Sequence, residues 1–412
     1  MQRKSDVYLK KALIMLIFVL VLDVTACSYT PSQDSSASVN AANKMQMGSS
    51  ANQSIEEMIN SCSGTYESAA KEQKFDDLAV VQTVVNHLGE CGYPAVDSRN
   101  LVDMTEADKV LDFCQKVDAR EEAEITIFVI DYLGGMIQNN LYTEEGSVTV
   151  DMSYYEYTSG GMEKTNEGSY QTTSWNYTDE GYLMYSGIWF SKDMYVLSLG
   201  GVEEYTALRV QHLDETCREL CLKYLRPIGF ERNNLFITDW NEGDFGQLDF
   251  YDLFDRLYPK VYGEQNPYKL DDNLSVGAVY QIPKEEFEKV IMSCFDIDST
   301  TLQSKTVYHP ADATYEYRPR GFREIECPEY PYSEVVEYTE NSDGTITLLA
   351  NVVFPRTGNS KVFSHEVVIR LLEDGGVKYV SNRIVPAEDN TKETWYTPRL
   401  TQEEWNIIYG NK

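Results

Sequence analysis

Histidine is scarce in this chain: four among 412 residues, at His87, His212, His309 and His365. No two lie three to five positions apart, which excludes a helical two-histidine zinc site. His365-Glu366-Val367-Val368-Ile369 opens like a metalloprotease motif but lacks the second histidine. It also falls in a predicted strand, where neighbours point to opposite faces. A Gly-x-Ser-x-Gly elbow and a phosphate-binding Gly-Lys-Ser/Thr loop are both missing. No cofactor and no metal is implied by any spacing.

Positive charge is short as well. Lys and Arg total 35 against 66 Asp and Glu, a net charge of −31. Such a surface repels nucleic acid and anionic membranes. It leaves neutral sugars, cationic peptides, divalent cations or basic protein patches as partners, with simple solubility as the plainer account. Two acidic stretches fall short of a calcium loop: Asp239-Trp240-Asn241-Glu242-Gly243-Asp244 has its glycine at the fifth place, and Asp296-Ile297-Asp298-Ser299-Thr300 has none. Both read as solvated turns. Carboxylates are so numerous that no pair is specific for glycoside hydrolysis.

The eight cysteines are Cys27, Cys62, Cys91, Cys114, Cys217, Cys221, Cys294 and Cys327. Setting Cys27 aside for the reason below leaves an odd number, so complete pairing is excluded. Cys62 with Cys91 is the least implausible pair. Cys217 and Cys221, four apart on a predicted helix, read as core packing.

Long apolar runs are absent beyond the N-terminus. Ala12–Leu22 is the one unbroken stretch of 11, and as a helix it would reach only about 17 Å, short of a bilayer core. It follows Arg3, Lys4, Lys10 and Lys11, which makes it the apolar part of a signal peptide. Val24-Thr25-Ala26-Cys27 then resembles the lipobox of a bacterial lipoprotein. The resemblance implies a diacylglycerol, with palmitate-type chains, on the sulfur of Cys27 and a protein held on the outer face of the cell membrane. Asp23, just before the box, departs from the pattern.

Residues 28–54, rich in Ser, Asn, Ala and Gln, read as a flexible tether with a reach of roughly 30 Å. With 1–27 as signal peptide, the remainder divides into an N-terminal α+β domain (55–228), a connector with one helix (229–275) and a C-terminal α+β domain (276–412). Apolar periodicity predicts helices from Ser54, over Asp76–Leu88 and from Thr105. Strands follow at Ile125–Tyr132, Met136–Tyr142, Ser147–Tyr157, Tyr170–Tyr177, Gly181–Phe190 and Met194–Leu199, then a helix over Leu213–Tyr224. In the connector Phe250, Leu253, Phe254 and Leu257 mark a helix that Pro259 should end. Pro283 opens the next helix, and an antiparallel meander runs from Thr314 to Ile384. The fold class is therefore α+β: two units, each with helices on an antiparallel meander, the second similar to cystatin-like and NTF2-like folds. A capping box at Thr401 and Glu404 starts a last short helix, with Trp405 and Ile408 docked.

Aromatic residues crowd the middle strands. Trp175, Tyr177, Tyr182 and Trp189 are the candidate ligand-binding residues, because aromatic rows beside carboxylates suit sugar rings or peptides. The competing reading is cross-strand packing.

Gly277-Ala278-Val279-Tyr280-Gln281-Ile282-Pro283, Tyr317-Arg318-Pro319-Arg320-Gly321-Phe322, Glu340-Asn341-Ser342-Asp343-Gly344-Thr345 and Tyr379-Val380-Ser381-Asn382-Arg383-Ile384 resemble a family of Gram-positive, gut Firmicutes-type surface lipoproteins. The resemblance implies an exported lipoprotein and no activity, so it assigns no functional residues. The function expected is a membrane-anchored, non-enzymatic binding or interaction role with a glycan or protein at the cell surface and no nucleic acid. The alternative is a cell-envelope glycan or peptide hydrolase.

Overall fold

The computed structural model describes residues 55–190, 201–269, 277–321, 324, 329–391 and 394–410. It is a mixed α+β structure in which helices accompany curled antiparallel β-sheet. The chain forms two compact units. Of the described residues, one comprises 55–95, Lys116–Gln171, 187–190 and 201–204; the other comprises Val96–Gln115, Thr172–Ser186 and those from Tyr205 onward. Among the described residues no helix is long and apolar enough to cross a membrane.

In the first unit, residues 55–61 are helical, and the helix Ser63–Glu72 follows. Asp77 caps the helix Leu78–Glu90 by accepting the Ala79 N–H at 2.9 Å, and Val81, Val84, Val85 and Leu88 form its buried stripe. Strands Ala123–Ile130, Gly135–Glu144 and Ser147–Thr158 pair in sequence order, and Gly161–Tyr177, of which this unit takes the part up to Gln171, continues the meander. Leu141, Val150 and Tyr170 face each other across the strands and are buried; Glu124, Tyr142, Thr149 and Gln171 make the neighbouring row on the other face, which is polar at this end of the sheet. The strand from Gly161 begins nine residues earlier than expected, because the polar run Glu163–Glu167 pairs with Ser153–Glu156.

In the second unit, Tyr332–Glu340, Thr345–Val353, Ser364–Leu371 and Val377–Val385 form a meander, with Trp240–Asn241 added at its edge. Bulges after Val335 and Val368 bend it. A smaller sheet joins Tyr308–His309, Thr314–Tyr317 and Tyr280–Pro283. The helices Phe250–Tyr262 and Lys284–Met292 meet through Phe254 and Phe287, stacked at 4.8 Å, and Phe287 stacks in turn on Tyr315 at 4.5 Å. Pro259 does not end its helix. It sits in the last turn, and the helix stops at Gly263, whose φ of 73° suits glycine and whose N–H donates to the Pro259 carbonyl. The strand Val202–Arg209 was not expected, and the expected strand Met194–Leu199 lies outside the described residues. The helix at Glu215–Leu220 runs on as a π-turn over Cys221–Leu225.

Candidate functional site

The densest charge constellation lies on the Phe250–Tyr262 helix, inside the second unit. Asp249, Asp252 and Asp255 recur every three residues, so they share one face. Asp249 caps the helix, accepting from the Tyr251 and Asp252 N–H groups at 2.9 and 3.0 Å. Asp252 is completely buried, with side-chain exposure of 0%. Its carboxylate accepts from Arg320 Nε and Nη2 at 2.8 and 2.6 Å, from Arg399 Nε at 2.6 Å and from the Tyr396 hydroxyl at 3.1 Å. Asp255 accepts from Arg399 Nη2, Tyr317 and Asn266. The remaining forks are engaged too: Arg320 Nη1 donates to the Thr397 carbonyl and Arg399 Nη1 to the Arg318 carbonyl, at 2.7 and 2.6 Å.

These contacts set the electrostatics. Burial pushes the Asp249 carboxyl up to about 6, helped by the Asp252 charge. Burial also raises Asp255, against the opposing pull of Arg399. Burial would lower the Arg399 guanidinium, but the carboxylates of Asp252, Asp255 and Asp249 hold it well above its ordinary value. Asp252 has its oxygens occupied by two guanidiniums and a hydroxyl, which ties the helix to the Arg320 and Arg399 segments.

Two cavities adjoin this network. Asp249 and Arg399 line one of 300 Å³, together with Trp405 and Arg318, whose guanidinium lies 4.5 Å from the Trp405 ring centre. Asp252, Asp255 and Arg320 line the other, of 780 Å³.

A Ser–His–Asn string occupies the meander of the same unit. Ser333 Oγ lies 3.2 Å from His365 Nε2, and His365 Nδ1 lies 2.7 Å from Asn382 Oδ1. The Asn382 oxygen can only accept, which assigns the ring proton to Nδ1 and leaves Nε2 to accept from Ser333. The geometry is that of a nucleophile, base and orienter. Access is not: the three are 2%, 0% and 1% exposed, and the rings of Phe230, Phe236 and Phe363 enclose the imidazole. Burial drives His365 down to about 4, so it is neutral at pH 7 and serves as a strut between strands. Among the described residues no group of three His, Cys, Asp or Glu comes together to hold a metal ion. Asn241 Oδ1 accepts from the Gly243 and Asp244 N–H groups, Asp244 Oδ1 accepts from the Gly246 N–H, and Asp298 caps the helix Ser299–Ser304.

A family model described as "Family of unknown function (DUF6070)" matches residues 48–399. The chain belongs to DUF6070. The matched span begins inside the expected tether, takes in both cavities' Asp-bearing helix and ends on Arg399. No curated protein and no solved structure matches this DUF6070 chain.

The residues singled out in the DUF6070 sequence have distinct fates. Cys27, with the leader and tether, lies outside the described residues. Tyr182 is fully buried, donates to Glu334 Oε1 at 2.6 Å and lies under the Arg209 guanidinium. Trp189 is 6% exposed and packs on Tyr154. Neither ring presents a face to solvent. Trp175 and Tyr177 are half-buried, and Trp175 stacks on Tyr185 at 5.6 Å with Phe113 edge-on at 5.9 Å. Cys62 and Cys91 are free thiols, the first buried and the second exposed; Cys217 and Cys221 are free and buried. The Asp249–Asp252–Asp255 series was missed by sequence reasoning. Its signal was there, in the three-residue spacing and in the arginines of Arg318-Pro319-Arg320 and Pro398-Arg399.

Proposed function

We propose that this DUF6070 chain is a lipid-anchored, extracytoplasmic lipoprotein with a non-enzymatic binding role at the cell surface. The observation that carries this reading is the basic, then apolar leader ending in Val24-Thr25-Ala26-Cys27. An acyl chain contributes about 0.8 kcal/mol per buried methylene and one chain holds only marginally, so the two or more on a lipidated cysteine give a stable anchor. The polar stretch 28–54 then spaces the folded body from the membrane. In the same reading the C-terminal unit has a cystatin- or NTF2-like layout, and the partner is a glycan or a protein, not nucleic acid. Support for binding over catalysis comes from the site: the buried carboxylate Asp252 is saturated with donors, and the Ser333–His365–Asn382 string is sealed.

Metabolic labelling with an alkyne fatty acid tests the anchor. Label should enter the wild-type chain, fractionate with membranes and vanish in Cys27→Ala. An unlabelled wild type, or equal label in the variant, would overturn the reading.

A further inference from the structure

The 780 Å³ cavity contradicts the charge of the chain that contains it. Five cationic side chains line it, Arg232, Arg256, Lys260, Lys269 and Arg320, against the three carboxylates of Glu231, Asp252 and Asp255. Two of those carboxylates are already answered from within the wall: Asp252 by Arg320 and Arg399, and Asp255 by Arg399. Glu231 approaches Arg256 only at 3.4 Å, long for a charged hydrogen bond. The cations at the mouth are therefore in excess, in a protein whose net charge is −31.

The cations are also under-used. Arg256 is held by Glu231 only through a long contact from Nη1 at 3.4 Å, and its Nε is buried out of a ligand's reach. Lys260 points its ammonium at a neutral acceptor, the Cys294 thiol at 3.6 Å. Arg232 is held at the rim by a built turn: its φ is 51°, and the neighbouring Asn233, 1% exposed, ties Gly229, Glu231 and Leu235 together through its amide. The rest of the wall is cross-tied by hydrogen bonds. Tyr268 is pinned by its hydroxyl to Glu286, and Asn266 bridges Asp255 and Tyr317. Rings, prolines and amides beside fixed cations form a surface for the C–H faces and oxygens of a sugar or polyol.

We propose that this cleft binds a short anionic saccharide: a sugar or polyol chain carrying carboxylate or phosphate groups. The proposal rests on the surface-binding role above and names its ligand class. The volume falls within the range of about 300–1,000 Å³ usual for small-ligand sites. The acidic remainder of the surface would repel a long polyanion while local cations hold a short one.

The test is titration calorimetry on the purified full chain at low and high salt. The probes are trigalacturonate, a glycerol-phosphate trimer and neutral maltotriose. At least one anionic probe should bind, more weakly at high salt, and maltotriose should not. Which anionic probe binds identifies carboxylate or phosphodiester as the recognised group. Reversing the two exposed lysines together, Lys260→Glu with Lys269→Glu, should weaken binding by about tenfold or more, and Arg256→Gln should also weaken it. Lys305→Glu, in the other cavity, should change nothing, and melting curves verify that all variants are folded. No binding of either anionic probe, equal binding of maltotriose, or affinity that survives the double reversal would overturn the proposal. Failure here with Cys27 still labelled rejects the cleft and keeps the anchor; binding with Cys27 unlabelled does the reverse.

Discussion

Arg399 Nε donates to Asp252 Oδ1 at 2.6 Å, joining residues 147 positions apart. The contact latches an irregular C-terminal segment onto the helix that carries the aspartates. A second anchor sits four residues earlier: Trp395, 1% exposed, is wedged among Phe230, Phe354 and Phe363. One fastening is apolar and the other ionic. Of the ionic pair, Arg399 lines one cavity and Asp252 the other, so the latch contributes to both clefts.

Removing Arg399 should therefore be costly. Arg399→Ala leaves Asp252 with one cation and strips Asp255 of its own, and breaking a buried pair this way costs about 3–5 kcal/mol. Urea unfolding monitored by tryptophan fluorescence measures it. A loss below about 1 kcal/mol would mean that water replaces the guanidinium and that the latch is idle.

Two buried groups should give opposing pH dependences in one window. His365 is held at about 4, below its ordinary 6.5, so its contribution is complete above 6.5 and is lost as pH falls toward 4. Asp249 is held at about 6, above its ordinary 3.8, so its contribution is complete below 3.8 and is lost as pH rises through 6. Each amounts to about 3 kcal/mol at full extent, and the two offset one another. Asp249→Asn, which keeps an acceptor for the helix cap, should lose more stability than wild type between pH 6.5 and 4. His365→Gln should lose less. Urea midpoints across that range decide it, and unchanged slopes in both variants would refute the assignment.

Trp175 separates packing from ligand binding. Its ring rests on Tyr185 and Phe113, both 2% exposed. Trp175→Ala should cost about 2–3 kcal/mol, less than for a fully buried tryptophan, and calorimetric melting should show it. A melting temperature unchanged within a degree or two would instead return Trp175 to the list of ligand-contacting residues.

Much of the local structure was legible because periodicity reports burial. Val81, Val84, Val85 and Leu88 fall on one helical face in the sequence and are buried in the structure, as are Phe250, Leu253, Phe254 and Leu257. The alternation of Val148, Val150 and Met152 likewise marks the covered side of a strand. The aromatic strands were less decidable, because the same alternation serves a platform or a core. Gly168 settles Trp189: a Cβ there would overlap the indole, so the ring lies flat on the strand instead of standing in solvent. Val202–Arg209 escaped notice because Glu203 and Glu204 interrupt any apolar pattern.

Hydrophobic spacing and the leader are properties of neighbouring residues, so the sequence alone marked most of the helices and strands and where export is expected. Charge does not obey that locality. An aspartate every three residues looks like a solvated face until Arg320 and Arg399 arrive from 68 and 147 positions away from Asp252. A net charge of −31 likewise says nothing of where the few cations gather. Coulomb energy depends on distance in space and on the water removed between the charges, and only the tertiary structure fixes both.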